Sequence, residues 1–349
     1  MVLENTISIK VREIIVEKYD VKTFVLERTD GESLEYAAGQ FLTFLKEING
    51  REVRRSYSMS SAPAVDAYPA ITIKRVANGE ISRFWLDQVK IGDVFNCLPA
   101  SGRFVLTPAP ATQKDVVLIG AGSGITPLFS ILKQVLTEEV GSSVTLLYAN
   151  RNDGHALFVD QINDWQRRFP DRLRVIHIHS QPLEGWTGMQ GRINNTRLEQ
   201  LVSKSLRYDK EVAKFFICGP YELMRSLEIT LHYMGFTTDQ IRKENFVIDK
   251  IPPPPPISNP HTISLHFRGE NHQLLVPAHS TILDAALANG IHLPYSCKGG
   301  RCATCAAVCK RGALHMSFNE VLTDRDLAEG WILTCSTYVD GDDVHIEVN

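Results

Sequence analysis

The chain has 349 residues, of which 44% are hydrophobic and 22% are charged, an ordinary balance for folded globular domains. At about 100–200 residues per domain, this length predicts two or three domains. The net charge of −3 gives no basic field that would favour nucleic acid, and no apolar run approaches the roughly 18 residues that a membrane span needs.

Residues 1–6 lack the basic start and apolar stretch of a secretory signal peptide. We therefore expect a cytoplasmic protein without membrane insertion. Thiols stay reduced in that compartment, so the seven cysteines indicate metal or redox chemistry rather than disulfides.

Residues 1–110 are predicted to form an antiparallel β domain. Runs rich in β-branched residues, at 7–16, 41–44 and 71–76, are separated by glycine and proline. Such short runs between turn residues are typical of antiparallel sheets.

Residues 111–249 alternate between predicted strands and helices. Short apolar strands are expected at 116–119, 144–149, 173–179 and 215–218, with helices from Pro127, over 156–168 and over 221–234. This alternation predicts a parallel, doubly wound sheet. Two histidines of one strand, His177 and His179, are expected to be core or edge residues.

Five consecutive prolines at 252–256 cannot form a helix, so residues 250–260 are predicted to be a stiff linker. The last domain then covers 261–349. A hairpin is expected from 262–267 and 273–277, followed by a helix over 281–289 that Ser280 caps.

Four cysteines have the spacing of a plant-type [2Fe–2S] ligand set, C-x4-C-x2-C and a fourth cysteine after 29 intervening residues: Cys297, Cys302, Cys305 and Cys335. Gly299 and Gly300 allow the loop backbone to approach the sulfur atoms closely. The alternative is a zinc site, but zinc ribbons usually pair two C-x2-C knuckles and only one is present. Cys309 falls outside the pattern.

Four basic residues surround this loop in sequence: Lys298, Arg301, Lys310 and Arg311. They form either a docking rim for a partner or an ordinary solvated surface, and the sequence leaves both readings open.

The segment 120–127 follows a short strand, opens a helix and contains the pattern G-x-G-x-x-P. Its glycines permit a tight turn and close approach to a pyrophosphate. The motif resembles the ferredoxin–NADP reductase superfamily, and the resemblance implies nucleotide contacts by Gly122, Gly124, Thr126 and Pro127. Cys218, Gly219 and Pro220 resemble that superfamily's nicotinamide-side motif, with Cys218 near the nicotinamide.

Arg151 follows the second strand of this domain, where the adenosine ribose usually lies. Its guanidinium is suited to a 2′-phosphate and favours NADP, whereas Asp153 favours the plain ribose of NAD.

The first domain carries the R-x-Y-S pattern of the same superfamily, which implies FAD as the cofactor. Arg55 is suited to the FAD pyrophosphate, Tyr57 to the flat flavin ring and Ser58 to the reactive flavin nitrogen. Further expected contacts are Ser61, Lys74, and Gly79 and Ser82 at a helix start. Phe246 is expected to cover the flavin.

The resemblance extends over nearly the whole chain. It implies an antiparallel β-barrel flavin domain, an α/β nucleotide domain and a ferredoxin-like β-grasp domain. This order is similar to the reductase components of multicomponent oxygenases, most of all that of phenylacetyl-CoA epoxidase.

The resemblance implies electron flow from NAD(P)H through FAD and the cluster to an acceptor protein, with a terminal oxygenase as the expected partner. No acid–base dyad or nucleophilic triad is evident, so no catalytic side chain is predicted beyond the redox centres. The alternatives are a reductase for another acceptor, such as a hybrid-cluster protein, desaturase or hydroxylase, and a non-catalytic redox carrier or sensor.

Overall fold

The computed structural model describes residues 6–18, 20–246, 255 and 259–348. Two compact units are present, one spanning Thr6–Asn245 and the other containing the described residues from Phe246 onward. The predicted linker at 250–260 lies outside the described residues except at positions 255, 259 and 260, so the predicted domain boundaries stay predictions. Among the described residues, no helix is long and apolar enough to cross a bilayer.

The first sheet and its helix contain the elements β1 (Ile7–Lys18), β2 (Val21–Arg28), β3 (Phe41–Ile48), β4 (Arg51–Ser58), β5 (Ala70–Lys74), α1 (Glu80–Asp87) and β6 (Val94–Cys97). The strand order is β4-β3-β6-β1-β2-β5, and neighbouring strands are antiparallel. A bridge between Met59 and Ile71 brings the chain after β4 to β5, so the sheet curls toward closure. Trp85 of α1 fills its centre, with ring centroids 4.9 Å from both Phe24 and Phe44. The predicted antiparallel fold is confirmed.

The second sheet and its helices contain β7 (Asp115–Ala121), α2 (Ile125–Glu138), β8 (Ser143–Asn150), α3 (Val159–Arg168), β9 (Leu173–His179), β10 (Met189–Gln190), α4 (Asn195–Ser203), β11 (Lys214–Cys218), α5 (Tyr221–Tyr233) and β12 (Ile241–Glu244). All pairs are parallel, in the order β10-β9-β8-β7-β11-β12. Helices α2 and α3 pack on one face and α4 and α5 on the other. The doubly wound prediction is confirmed, and its switch point lies between β7 and β11.

The helix predicted over 156–168 begins later than expected, at Val159. The preceding Phe158 has a left-handed backbone, with φ of +58°, so the helical path cannot extend back through it. Its ring stacks on Phe129 at 4.9 Å, which shows that packing rather than local propensity sets this start.

A seam of buried polar contacts joins the barrel to the nucleotide domain. The Ser130 hydroxyl of α2 donates to the carbonyl of Ser61, and the Ser61 hydroxyl lies 2.7 Å from that of Tyr36. Lys133 of α2 forms an ion pair with Asp66, and the Lys133 side chain is only 6% exposed. These contacts make the two halves of Thr6–Asn245 one compact unit.

The second unit contains β13 (His261–Phe267), β14 (Glu270–Val276), α6 (Ile282–Ala288), β15 (Ala306–Arg311), β16 (Leu314–Met316), α7 (Asp324–Ala328), β17 (Trp331–Leu333), β18 (Thr337–Val339) and β19 (His345–Val348). Its mixed sheet has the order β14-β13-β19-β15-β17, beside a β16–β18 ribbon. Helix α6 packs on this sheet as in a β-grasp fold.

The predicted cap of α6 was wrong by one residue. Thr281, not Ser280, is the N-cap, and its hydroxyl accepts a hydrogen bond from the Asp284 amide at 3.1 Å. Either hydroxyl can serve chemically, so the choice depends on where the chain enters the helix.

Candidate functional site

The β7–α2 and β11–α5 loops meet at the switch point of the parallel sheet. A Cβ atom on Gly124 would lie 2.1 Å from the carbonyl oxygen of Cys218, and one on Gly219 would lie 3.0 Å from the Cβ of Ala121. Ligands of doubly wound sheets bind in the crevice outside the carboxyl ends of the strands at such a point. Two of the predicted nucleotide motifs therefore adjoin one crevice, with Pro220 as the N-cap of α5.

The β7–α2 loop is held in shape by its own polar groups. The Thr126 hydroxyl donates to the Ser123 carbonyl at 2.9 Å, and the Tyr148 hydroxyl donates to the Gly122 carbonyl at 3.3 Å. Gly122 has φ of +57° and open space beside it, and Pro127 stands in the first turn of α2. Among the residues that the structure describes, no side chain caps the N-terminus of α2. Its first N–H groups therefore suit a pyrophosphate.

Two buried polar side chains at the same sheet edge have unused hydrogen-bonding atoms. Asn150 and His179 are paired in register on β8 and β9 and are 7% and 0% exposed. Asn150 lies beside the Tyr148 hydroxyl, yet neither of its amide atoms completes a hydrogen bond of normal geometry. Both ring nitrogens of His179 also lack a hydrogen-bond partner within the described chain. Because buried polar groups are nearly always paired, this edge fits a polar ligand such as a nucleotide.

Arg151 and Asp153 follow β8 directly, and both side chains are exposed. The Asp153 carboxylate lies 3.7 Å from Nε2 of His179, and the Trp186 ring stacks on the His179 ring at 3.8 Å. Sequence reasoning gave His179 no ligand role, because nothing in the local pattern shows that its nitrogens are unsatisfied. Arg151 and Asp153, the residues predicted to lie near the adenosine ribose, are therefore next to Asn150 and His179.

Three predicted flavin residues, Arg55, Tyr57 and Ser58, lie in the second half of β4. Arg55 and Tyr57 are two residues apart and so point to one face of the strand. Arg55 is exposed, with Nη1 donating to the Arg54 carbonyl at 2.7 Å. Tyr57 packs near Phe44 and Trp85, and burial raises its pKa.

The turn before α1 is built around Gly79 and Ser82. The Ser82 hydroxyl accepts from the Val76 amide at 3.1 Å and donates to the Gly79 carbonyl at 3.2 Å. A Cβ on Gly79 would lie 2.7 Å from that hydroxyl, so a larger residue does not fit without a shift. The Ser82 hydroxyl is therefore already hydrogen-bonded inside the turn. In the part of the chain that the structure describes, no side chain caps the N-terminus of α1, so the backbone N–H groups of α1 are the atoms suited to a phosphate.

Lys74 lines a cavity of about 170 Å³ between the barrel and the nucleotide domain, together with Lys18, Ser123 and His155 among others. Basic side chains beside the β7–α2 loop suit an anionic ligand. Ser61, in contrast, is 2% exposed and its hydroxyl is engaged inside the protein, so its cofactor contact stays a prediction.

A buried carboxyl group, that of Glu244, lies beside the predicted flavin and nicotinamide residues. The Ser58 hydroxyl donates to Oε2 of Glu244 at 2.7 Å, and Glu244 is paired in register with Cys218 on the neighbouring strand. Burial raises the pKa of Glu244 to about 8, against the lowering effect of the Ser58 hydrogen bond. Burial, and next the Glu244 charge, raise the pKa of Cys218, which excludes a reactive thiolate there.

Sequence reasoning missed Glu244, although it singled out the segment around Phe246. Phe246 itself is 47% exposed, and its flavin contact stays a prediction. The signal available in the sequence was a glutamate at the end of a short sheet strand, which alone does not reveal burial.

The four predicted cluster ligands come together in the second unit. Hydrogen bonds among their thiols join Cys302 to Cys297, Cys297 to Cys335, and Cys335 to Cys305. Contacts first with Cys302 and then with Cys335 lower the pKa of Cys297, whereas contact with Cys297 raises the pKa of Cys302 and of Cys335. No group of three or more His, Cys, Asp or Glu side chains in the described residues closes around a single ion.

The backbone of the cysteine loop also faces sulfur. The Gly299 amide donates to Sγ of Cys297 and the Gly300 amide to Sγ of Cys335, both at 3.3 Å. A Cβ on Gly300 would lie 2.6 Å from the carbonyl oxygen of Phe318, so glycine is required for this approach. Convergent thiols with N–H donors fit an iron–sulfur cluster.

The predicted basic rim is only partly on the surface. Arg301 is 6% exposed and its Nε lies 3.1 Å from a Glu320 carboxylate oxygen, so it does not belong to a docking rim. Lys298, Lys310 and Arg311 are more than 40% exposed and pair with acidic neighbours.

Three known domain families match successive parts of the chain. An oxidoreductase FAD-binding domain matches residues 8–106, an oxidoreductase NAD-binding domain matches 118–228, and a 2Fe–2S iron–sulfur cluster binding domain matches 265–340. These matches define an NAD(P)H-dependent oxidoreductase with FAD and a [2Fe–2S] cluster.

The whole chain has relatives of the same organisation. It is 33% identical to the ferredoxin reductase component of 3-ketosteroid-9-alpha-monooxygenase from Mycobacterium tuberculosis, over 98% of this chain and 96% of the relative. It is 30% identical to one of the subunits of 1,2-phenylacetyl-CoA epoxidase from Escherichia coli K12, over 90% and 88%. Phthalate dioxygenase reductase shares the fold, with a TM-score of 0.59 and 22% identity over 99% and 98% of the two chains. The chain belongs to the family of ferredoxin reductase components of oxygenases, which confirms the resemblance seen in its motifs.

The raised pKa of Glu244 predicts a pH-dependent cost to folding. The folded protein retains this proton up to about pH 8, whereas the unfolded chain loses it near the ordinary value of 4.5, so stability falls as pH rises between them. Glu244→Gln removes the titration and keeps the shape. We expect its free energy of unfolding, relative to wild type, to increase from pH 5 to pH 8, at up to about 1.4 kcal/mol per pH unit.

Thermal melts of both proteins across this pH range measure the effect. Glu222→Gln, at an exposed position on α5, is the matched control and should give a constant difference. A constant difference for Glu244→Gln as well would contradict the assignment.

Proposed function

We propose that this protein takes electrons from NAD(P)H and passes them through FAD and its [2Fe–2S] cluster to a partner oxygenase. The observation that carries the proposal is that one buried carboxyl group, that of Glu244, adjoins predicted residues of both sites. Predicted flavin residue Ser58 and predicted nicotinamide residue Cys218 both adjoin Glu244, in a chain that also brings four thiols together. Family membership supports the same order of redox centres.

Each redox group has a defined set of residues in this proposal. FAD is held by Arg55, Tyr57, Ser58, Lys74 and the amides from Gly79 to Ser82. NAD(P)H is held by the β7–α2 loop, by Cys218–Pro220 and by Arg151. The cluster is held by Cys297, Cys302, Cys305 and Cys335.

The chemistry requires an intermediary between the two ends. When bound, FAD would supply this chemistry, because a flavin can take up the two electrons of a hydride together and give them up singly to a one-electron cluster. The protein residues position donor and acceptor, and the buried Ser58–Glu244 pair keeps its hydrogen bond away from water. We propose that this takes place in the cytoplasm, and the fact that none of the seven cysteines, all of them among the described residues, forms a disulfide supports this.

Anaerobic mixing with NADPH tests the electron path. We expect flavin absorbance to bleach first and cluster absorbance to bleach second. If neither the flavin nor the cluster absorbance changes, the protein is not a reductase.

A second experiment tests the acceptor. The reduced protein is offered to purified oxygenase components that act on steroid or acyl-CoA substrates, because relatives serve such enzymes. Turnover with none of them, but with a desaturase or hybrid-cluster protein, would replace the oxygenase by another acceptor.

Cys335→Ser separates the exit of the electron path from its entrance. We expect loss of the cluster absorbance and of electron delivery to any acceptor protein, while NADPH still bleaches the flavin at near wild-type rate. Cys309→Ser is the matched control, because Sγ of Cys309 contacts the Arg311 carbonyl at 3.3 Å rather than the other thiols. Equal iron content in both variants would contradict the ligand set.

Arg151→Ala tests the preference for NADPH. A charge-assisted contact to the 2′-phosphate is worth about 1.5–3 kcal/mol, so the KM for NADPH should rise about 10-fold or more, with the KM for NADH nearly unchanged. Steady-state reduction of a dye with each nucleotide measures both values. Arg167→Ala, 72% exposed on α3, is the control. An equal rise for both nucleotides would defeat the assignment.

A further inference from the structure

A buried ion pair lies directly beside the cysteine loop. Arg301 immediately precedes the ligand Cys302, and its Nε is 3.1 Å from Oε2 of Glu320. The side chains are 6% and 14% exposed, unlike those of Lys298 and of Lys310 in the same region. The family's ligand pattern does not require these residues, since neither supplies sulfur to the metal.

Glu320 belongs to a short segment, residues 317–320, which we call the clasp and which contacts Arg301. On one side, the Glu320 amide donates to the Gly300 carbonyl at 3.1 Å, and the Arg301 guanidinium lies 4.9 Å above the Phe318 ring. On the other side, the Ser336 hydroxyl donates to the Phe318 carbonyl at 2.8 Å, next to the ligand Cys335. The clasp therefore connects the loop that carries three ligands to the segment that carries the fourth.

Reduction adds one negative charge to a cluster, so nearby buried charges affect its potential. A buried cation stabilises the reduced state and a buried anion disfavours it, because a poorly hydrated surrounding screens them weakly. We propose that Arg301 and Glu320 set the cluster potential through their opposed charges: Arg301 favours the reduced state and Glu320 partly offsets that effect. The proposal rests on the proposed function, in which the four cysteines hold a [2Fe–2S] cluster.

The two partners therefore have opposite effects. Glu320→Gln removes the anion, keeps the side-chain shape and leaves Arg301 charged, so the cluster becomes easier to reduce. Arg301→Gln removes the cation and leaves Glu320 charged, so the cluster becomes harder to reduce. A clasp that served only to hold the loops together would instead shift the potential in the same direction in both variants, as the site loosened and admitted water.

Spectroelectrochemical titration of the full-length holoprotein measures the potential, with the reduced cluster followed by its electron paramagnetic resonance signal. We expect Glu320→Gln to raise the one-electron reduction equilibrium constant about tenfold, which is about 59 mV, and Arg301→Gln to lower it by a similar factor. Iron content at the wild-type level establishes that each variant holds its cluster, which separates this result from failure of the cluster assignment itself.

Two controls keep the experiment decisive. Glu320→Asp retains the charge but shortens the side chain, so it should shift the reduction equilibrium constant less than twofold. If Arg301→Gln loses iron, the comparison of Glu320→Asp with Glu320→Gln is sufficient to test the proposal. Glu329→Gln removes an exposed partner of Arg325 in the same unit and should have no effect. Shifts in one direction for both pair members, an equal shift in Glu320→Asp and Glu320→Gln, or changes below twofold in Glu320→Gln would overturn the proposal.

Discussion

The contact between Gly124 and the Cys218 carbonyl is the constraint on which the nucleotide site depends. A side chain at position 124 would sit 2.1 Å from that oxygen, so only glycine lets the two loops meet at the switch point. Their meeting places the start of α2 beside the end of β11, and Glu244 stands in register one strand further on. The barrel residue Ser58 completes this group through its hydrogen bond to Glu244. A single close backbone approach therefore brings residues from both halves of the unit to one place.

The same region holds polar groups that a stable interior normally avoids. The buried carboxyl group of Glu244 accepts a hydrogen bond from the Ser58 hydroxyl, and Asn150 and His179 have hydrogen-bonding atoms without partners among the described residues. Burial of such groups costs free energy unless a partner satisfies them. All three residues lie at the carboxyl edge of the parallel sheet. The stability lost there is consistent with an edge shaped for ligands rather than for folding alone.

Local sequence signals identified the antiparallel β structure of the first domain and the doubly wound sheet of the second, and the family resemblance added the barrel and β-grasp classes. Short buried apolar runs mark β7 and β8, and the cysteine spacing marks the second unit. Sequence reasoning failed where the outcome depends on distant contacts. Ser58 and Glu244 are 186 residues apart, so no local pattern predicts that the glutamate is buried and protonated up to about pH 8. Arg301 was one of four similar basic residues in sequence, and only the folded clasp shows that it turns inward. The N-cap of α6 was predicted at Ser280 but lies at Thr281, because the path by which the chain enters the helix is also not set by the local sequence.

The seam between barrel and nucleotide domain has a consequence for how such proteins diversify. Phe104 from the barrel side packs on Phe216 of β11 at 5.3 Å, and Lys133 forms an ion pair with Asp66, so both halves contribute side chains to one hydrophobic cluster and one buried ion pair. A recombination event that exchanged either half alone would leave unmatched apolar surface and an unpaired lysine. The residues from 263 to 348, in contrast, build a core from their own side chains. Domain shuffling is therefore expected to exchange two blocks in such proteins. The flavin and nicotinamide halves form one block, and the cluster domain forms the other.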